Sequence, residues 1–232
     1  MKSEKLAKYV KTRNKKLSEY KFGPLQVFVK DPLPDGFDIQ EVFDKLAQRL
    51  PGHYLRLVDI IYVGQFNIFK ERQINAVYMD GAIYVTNEQS NSEDMLDDII
   101  HETAHAIEEK YGQVIYKDGE IEEEFLSKRK SLKRILIDRG HQLGHLNFEN
   151  VDFSVEFDKY MLEKVGYDNL RMLTVDVFLS PYSITSLREY FAIGFEEYYL
   201  GNKLDLREVC PYVYNKLYML ETNEMEIERY EF

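Results

Sequence analysis

The stretch that decides the fold is Ile100-His101-Glu102-Thr103-Ala104-His105-Ala106, an H-E-x-x-H motif within a helical pattern. Residues four apart share one face of a helix, so His101 and His105 can bind one metal ion together. Glu102 lies one position further round, where its carboxylate can reach a water at that ion and act as a general base. The motif predicts a zinc peptidase centre. The alternative is a helix with two histidines on its polar side and no metal.

The sequence around the motif predicts a long helix preceded by a sheet. Ser90 and Glu93 have the spacing of a capping box at the helix start, and Tyr111-Gly112 is the predicted end. Upstream, Asp80-Gly81 joins two β-rich runs and favours a type I′ hairpin turn. The predicted strands are 25–30, a β-rich stretch within 55–69, 76–79 and 82–85, and a helix is predicted at 39–50.

The second half of the chain has helical periodicity almost throughout. Helices are predicted at 120–138, 153–165, 169–179, 187–200 and 207–220, with a loop at 140–150. This loop contains His141 and His145, again four apart. They predict either a second metal site or two surface histidines, because the pair lacks a glutamate and follows a glycine.

Composition describes a globular chain of 232 residues with 44% hydrophobic residues and one cysteine, Cys210. A single cysteine excludes an internal disulfide and fits a reducing compartment. We find no apolar run of signal-peptide or membrane-span length. The sequence therefore predicts a cytoplasmic protein without a membrane segment, the alternative being secretion after removal of a leader.

The charge is unevenly distributed, with a net charge of −11 over the whole chain. Residues 1–21 contain eight Lys or Arg against two Glu and form a predicted basic arm of charge +6, which leaves −17 for the remainder. An acidic body argues against nucleic-acid binding and favours basic substrates. The arm itself is predicted to be a solvated terminus, the alternative being contact with nucleic acid or an anionic surface.

Two histidines leave a zinc ion short of a third protein ligand. The glycine and histidine that extend H-E-x-x-H in some peptidases are absent after His105, so the ligand must come from elsewhere. Glu189, among aromatic and small residues, is the first candidate, because a carboxylate with apolar neighbours needs a partner. Two alternatives remain: Glu196 lies two turns on, and Glu189 has capping-box spacing from Ser186.

The segment that contains Glu189 resembles a motif of a known family. Glu189-Tyr190-Phe191-Ala192, with Tyr182 seven residues upstream, is similar to the motif of the anthrax lethal factor-like zinc peptidases, which include the clostridial Pro-Pro endopeptidases. The resemblance covers 95–200 at most. The 84 residues from His105 to Glu189 exceed the family's spacing, and the extra length is expected within 113–150.

The resemblance implies a set of roles in the numbering of this chain. Zn²⁺ would be bound by His101, His105 and Glu189, and Glu102 would be the catalytic base. Tyr182 would stabilise the oxyanion, the alternative being that it is one of eighteen tyrosines packing the helical lobe.

We therefore expect an α+β protein with a zincin-like metallopeptidase fold. A single catalytic domain, 22–232, would consist of a lobe with a small twisted sheet and the active-site helix (22–112) and a mostly helical lobe (113–232). The predicted function is a zinc endopeptidase that binds a protein or peptide in extended form along the sheet edge, beside hairpin 76–85. The alternative is a non-catalytic zincin-like structural or adaptor protein of a phage or mobile element. No oligomeric state follows from the sequence.

Overall fold

The computed structural model describes residues 18–222 and has an α+β fold, as the sequence predicts. Most of the predicted basic arm, residues 1–17, lies outside the described residues. The chain divides into two compact units, the first ending at Ile107 and the second beginning at Glu108.

The first unit contains a five-stranded mixed sheet with the order β1-β2-β3-β5-β4. The outer pairs, β1 with β2 and β4 with β5, are antiparallel, whereas β2 with β3 and β3 with β5 are parallel. Strand β4 is therefore an edge strand. The strands are β1 (Ser18–Phe22), β2 (Leu25–Val29), β3 (Ile60–Val63), β4 (Ala76–Met79) and β5 (Ala82–Val85).

The predicted hairpin is confirmed. Asp80 and Gly81 both have positive φ, 51° and 80°, as a type I′ turn requires. A Cβ at Gly81 would also come within 2.7 Å of an Asp59 carboxylate oxygen. Met79 pairs with Ala82 next to the turn, and Tyr78 pairs with Ile83. Because alternate residues of an edge strand bond inward and outward, the backbone N–H of Tyr78 faces the free edge.

Helices fill the two longer connections, from β2 to β3 and from β3 to β4. The predicted helix at 39–50 is confirmed as α1, Ile39–Arg49, with Asp38 accepting the N–H groups of Gln40 and Glu41. The β-rich stretch 55–69 contains only strand β3, because Phe69 and its neighbours pack against the sheet from a helix instead. The helices of this region are α1 (Ile39–Arg49), α2 (Gly52–Leu55) and α3 (Asn67–Arg72).

The helix that carries H-E-x-x-H, α4 (Ser92–Tyr116), differs from the prediction at both ends. Asn91 rather than Ser90 accepts the N–H of Asp94, at 2.9 Å. The helix continues through Gly112 because the following turn is held in place: Ile115 is fully buried, and the Tyr116 hydroxyl donates to Glu108 at 2.5 Å.

The second unit is helical within the part of the chain that is described. The predicted helices at 120–138 and 187–200 are confirmed, and the predicted helix at 169–179 ends early, at Leu173. The predicted helix at 207–220 is two helices, because Pro211 has no N–H to continue the first one. The helices are α5 (Glu120–Asp138), α6 (Val155–Tyr160), α7 (Tyr167–Leu173), α8 (Leu187–Leu200), α9 (Lys203–Val209) and α10 (Pro211–Thr222). A π-helical turn, Met161–Val165, follows α6, and a 3₁₀ turn, Tyr182–Ile184, precedes α8.

Helix α8 packs closely against its neighbours in this unit. A Cβ at Gly194 would lie 2.5 Å from a methyl of Val213 on α10 and 3.6 Å from Leu206 on α9. The buried Tyr190 hydroxyl donates to Glu124 on α5 at 2.7 Å. These contacts fix the helix that carries Glu189. Across residues 18–222, we find no helix with the length and apolar character needed to cross a bilayer.

Candidate metal centre

Helix α4 presents the two histidines of the motif on one face. The ring centroids of His101 and His105 are 5.2 Å apart, with ring planes 81° from parallel. The opposite face is apolar and anchors the helix, with exposures of 0–1% at Met95, Leu96, Ile99, Ile100, Ala104 and Ile107. The apolar face therefore fixes the helix that carries the histidine pair.

The carboxylate between the histidines is fixed by the sheet. Glu102 is 8% exposed, and its Oε2 accepts the backbone N–H of Tyr78 at 2.6 Å. In the register of β4 with β5, this N–H points away from β5, toward the outer edge of the sheet. The contact ties the motif to the edge strand. No sequence signal predicts it, because it depends on strand register and tertiary packing.

Glu189 lies in the first turn of α8. The Ser186 hydroxyl caps this helix and accepts the backbone N–H of Glu189 at 3.2 Å. The Ser186 hydroxyl therefore provides the first half of the predicted capping box, through the backbone N–H of Glu189.

The structure brings together the three predicted metal ligands. One ligand atom from each of His101, His105 and Glu189 lies within 4.8 Å of the other two. These three side chains could hold one metal ion. Two imidazoles and one carboxylate also match the donor set of catalytic zinc sites, which keep the fourth position open. The group of possible metal ligands found among residues 18–222 does not include Glu196, the other candidate from the sequence.

Tyr182 opens the 3₁₀ turn that leads into α8. Its carbonyl accepts the backbone N–H of Thr185 at 3.1 Å and the Thr185 hydroxyl at 2.8 Å. The residue is 41% exposed, whereas Ser183 beside it is 1% exposed. The Tyr182 ring is thus outside the buried core, and its backbone is held in a defined turn.

The second histidine pair surrounds a tyrosine. His141 Nδ1 is 3.4 Å from the Tyr160 hydroxyl, and the His145 ring centroid is 5.4 Å from the Tyr160 ring. Within the described ranges, neither histidine belongs to a group of three possible metal ligands. These contacts account for the pair as surface histidines that pack on one aromatic ring.

Glu108 is a buried acid of α4 that no sequence signal marked as functional. Glu108 accepts from the Tyr116 hydroxyl at 2.5 Å and from Arg188 Nε at 2.9 Å. Burial, reinforced by Glu108, raises the pKa of Tyr116. Partial burial lowers the pKa of Arg188, but the hydrogen bond and charge of Glu108 outweigh it and leave the pKa raised. The available signal was position, since Glu108 comes three residues after His105.

Comparison of the chain with protein-family models, with curated proteins and with solved structures finds no match. The resemblance to the lethal factor-like peptidases therefore rests on the two motifs quoted above and on the residues that carry them.

Proposed function

We propose that this chain is a zinc-dependent endopeptidase with a zincin-like fold, related to the lethal factor-like group. The observation that carries the proposal is the convergence of His101, His105 and Glu189, whose ligand atoms lie within 4.8 Å of one another. These residues come from two motifs 84 positions apart in the chain, and the second was sought because the first lacks a third zinc ligand.

The residues of the chain have distinct roles in this proposal. A bound zinc ion would polarise the scissile carbonyl and make water more acidic. Glu102 accepts the proton of the attacking water and passes it to the leaving amine. Tyr182 donates a hydrogen bond to the carbonyl oxygen as that oxygen gains charge.

The edge strand supports an extended substrate. Strand β4 is an edge strand, and a peptide that adds to such a strand is held through its main chain. Glu102 is bonded to the backbone N–H of Tyr78 in this strand, so a peptide lying along β4 would have its backbone next to the base. This arrangement favours a protein or peptide as the substrate.

The test combines metal analysis with cleavage. The chain is purified without added zinc or chelator, its zinc content is measured, and its cleavage of an unbiased peptide library is profiled by mass spectrometry. We expect about one zinc per chain and cleavage that is abolished in Glu102→Gln, which should keep its zinc. Glu189→Ala should lose zinc, and the matched control Glu196→Ala should keep it.

Two results would overturn the proposal. A zinc content near zero that added zinc does not restore would remove the metal centre. A full complement of zinc without any cleavage of the library would leave a metal-binding protein that is not an endopeptidase.

A further inference from the structure

The guanidinium of Arg188 donates to a buried carboxylate, that of Glu108. The Glu108 side chain is 5% exposed, and both of its oxygens are engaged, one by the Tyr116 hydroxyl and the other by Arg188 Nε. The Arg188 side chain itself is 61% exposed. A buried, doubly bonded acid therefore anchors an exposed cation through its Nε–H.

This arrangement differs from an ordinary surface ion pair. In a surface pair, two mobile side chains meet in water and gain little. Here the acid is buried and oriented by a phenol, so only the arginine side chain has to be ordered when the pair forms. Arginine has five N–H donors, of which the Nε–H alone is used by Glu108. Among residues 18–222, we find no other hydrogen bond or ion pair to this guanidinium.

Arg188 directly precedes Glu189 in the first turn of α8. Glu108, which accepts the hydrogen bond from Arg188, comes three residues after His105 on the same face of α4. A substrate whose scissile bond lies at Glu189 would therefore pass near the Nη groups of Arg188. The planar pair of Nη donors matches the two oxygens of a carboxylate, a geometry that a lysine cannot reproduce.

We propose that Arg188 determines specificity by binding a carboxylate of the substrate close to the scissile bond. Glu108 and Tyr116 are positioning residues that hold the guanidinium for this contact. The carboxylate is the side chain of an Asp or Glu in the substrate; binding of the peptide C-terminus would instead indicate an exopeptidase, and the peptide pairs below distinguish the two. This inference rests on the proposed peptidase function. It also runs against the overall charge of −11, which would draw basic substrates to the chain.

The experiment uses the zinc-loaded chain and pairs of peptides taken from its own cleavage profile. Members of one pair differ only in Glu against Gln near the scissile bond, and members of the other only in a free against an amidated C-terminus. For the pair that carries the recognised group, we expect kcat/KM to be about tenfold higher with the carboxylate, mainly through KM. The difference should shrink as salt is raised.

The variants test whether Arg188 is responsible. Arg188→Gln should reduce the ratio to near one, and Arg188→Lys should restore only part of it. Glu108→Gln and Tyr116→Phe should give intermediate ratios, because the guanidinium remains but is held less firmly. Arg171→Gln, which removes an exposed arginine of α7, is the charge-matched control and should leave the ratio unchanged. Zinc content and melting temperature are measured for every variant.

The outcomes separate this inference from the function on which it rests. Equal cleavage of both members of each pair by the natural chain would overturn the inference and leave the peptidase in place. A preference that survives Arg188→Gln would do the same. If the zinc-loaded chain cleaves no peptide at all, the proposed function fails and the inference fails with it.

Discussion

Two substitutions of Glu102, to glutamine and to alanine, distinguish its structural role from its proposed catalytic role. It accepts the Tyr78 N–H at 2.6 Å, which is a structural contact, and it is the proposed base. Glutamine keeps an acceptor oxygen in place and removes only the ability to take a proton. Alanine removes both and leaves the edge N–H without this acceptor.

The size of each effect follows from the contact. A hydrogen bond to a charged acceptor contributes about 1.5–3 kcal/mol, and one to a neutral acceptor about 0.5–1.5 kcal/mol. We therefore expect Glu102→Gln to lower the free energy of unfolding by about 1 kcal/mol and Glu102→Ala by about 2 kcal/mol or more. Both should lower kcat by about 10²–10⁴, the usual contribution of a general base.

The assay is urea unfolding at pH 7, together with zinc content and kcat on a peptide from the cleavage profile. Glu102→Gln is the informative variant, since it should keep the fold and the zinc and lose turnover. If Glu102→Ala is as stable as the natural chain, the bond to Tyr78 contributes nothing. If Glu102→Gln keeps a tenth or more of kcat, Glu102 is not the base.

Three further results are expected. Gly194→Ala should lower the free energy of unfolding by about 1–3 kcal/mol, because its Cβ meets Val213, and Val213→Ala in the same chain should recover part of the loss in thermal melts. Tyr182→Phe should keep zinc and melting temperature and lower kcat by at least about tenfold, and an unchanged kcat would remove its oxyanion role. Free zinc at about 100 times its Kd should stabilise the chain by about 2.7 kcal/mol, whereas a melting temperature insensitive to chelator would contradict the site.

Short sequence patterns correctly predicted those helices and turns whose conformation is set by neighbouring residues in the chain. The hairpin was predictable because Asp80-Gly81 suits only a few turn geometries, and 120–138 because its apolar residues recur with helical period. Strand β1 was missed because it is a mostly exposed edge strand without alternation of apolar residues. The end of α4 was misplaced because Gly112 is overruled by the burial of Ile115 one turn later.

The same division holds for the candidate site. His101 and His105 follow from spacing along one helix, and Glu189 was found from its apolar surroundings and a motif resemblance. The bonds from Glu102 to Tyr78 and from Glu108 to Arg188 were not predictable. Each joins residues far apart in the chain through packing that no short window of sequence records.

The contact between Glu102 and β4 depends on whether the turn at Asp80-Gly81 contains an even or an odd number of residues. Alternate residues of β4 turn their N–H groups toward or away from the free edge, so the turn decides that Tyr78, and not its neighbour Val77, faces Glu102. One residue added to the turn would shift the register by one and exchange these orientations, whereas two would keep them. A homologue with an odd insertion there could keep every residue of H-E-x-x-H and still have a base with no backbone partner. Among homologues of this chain, the length of the turn between β4 and β5 would therefore be as informative about activity as the H-E-x-x-H motif.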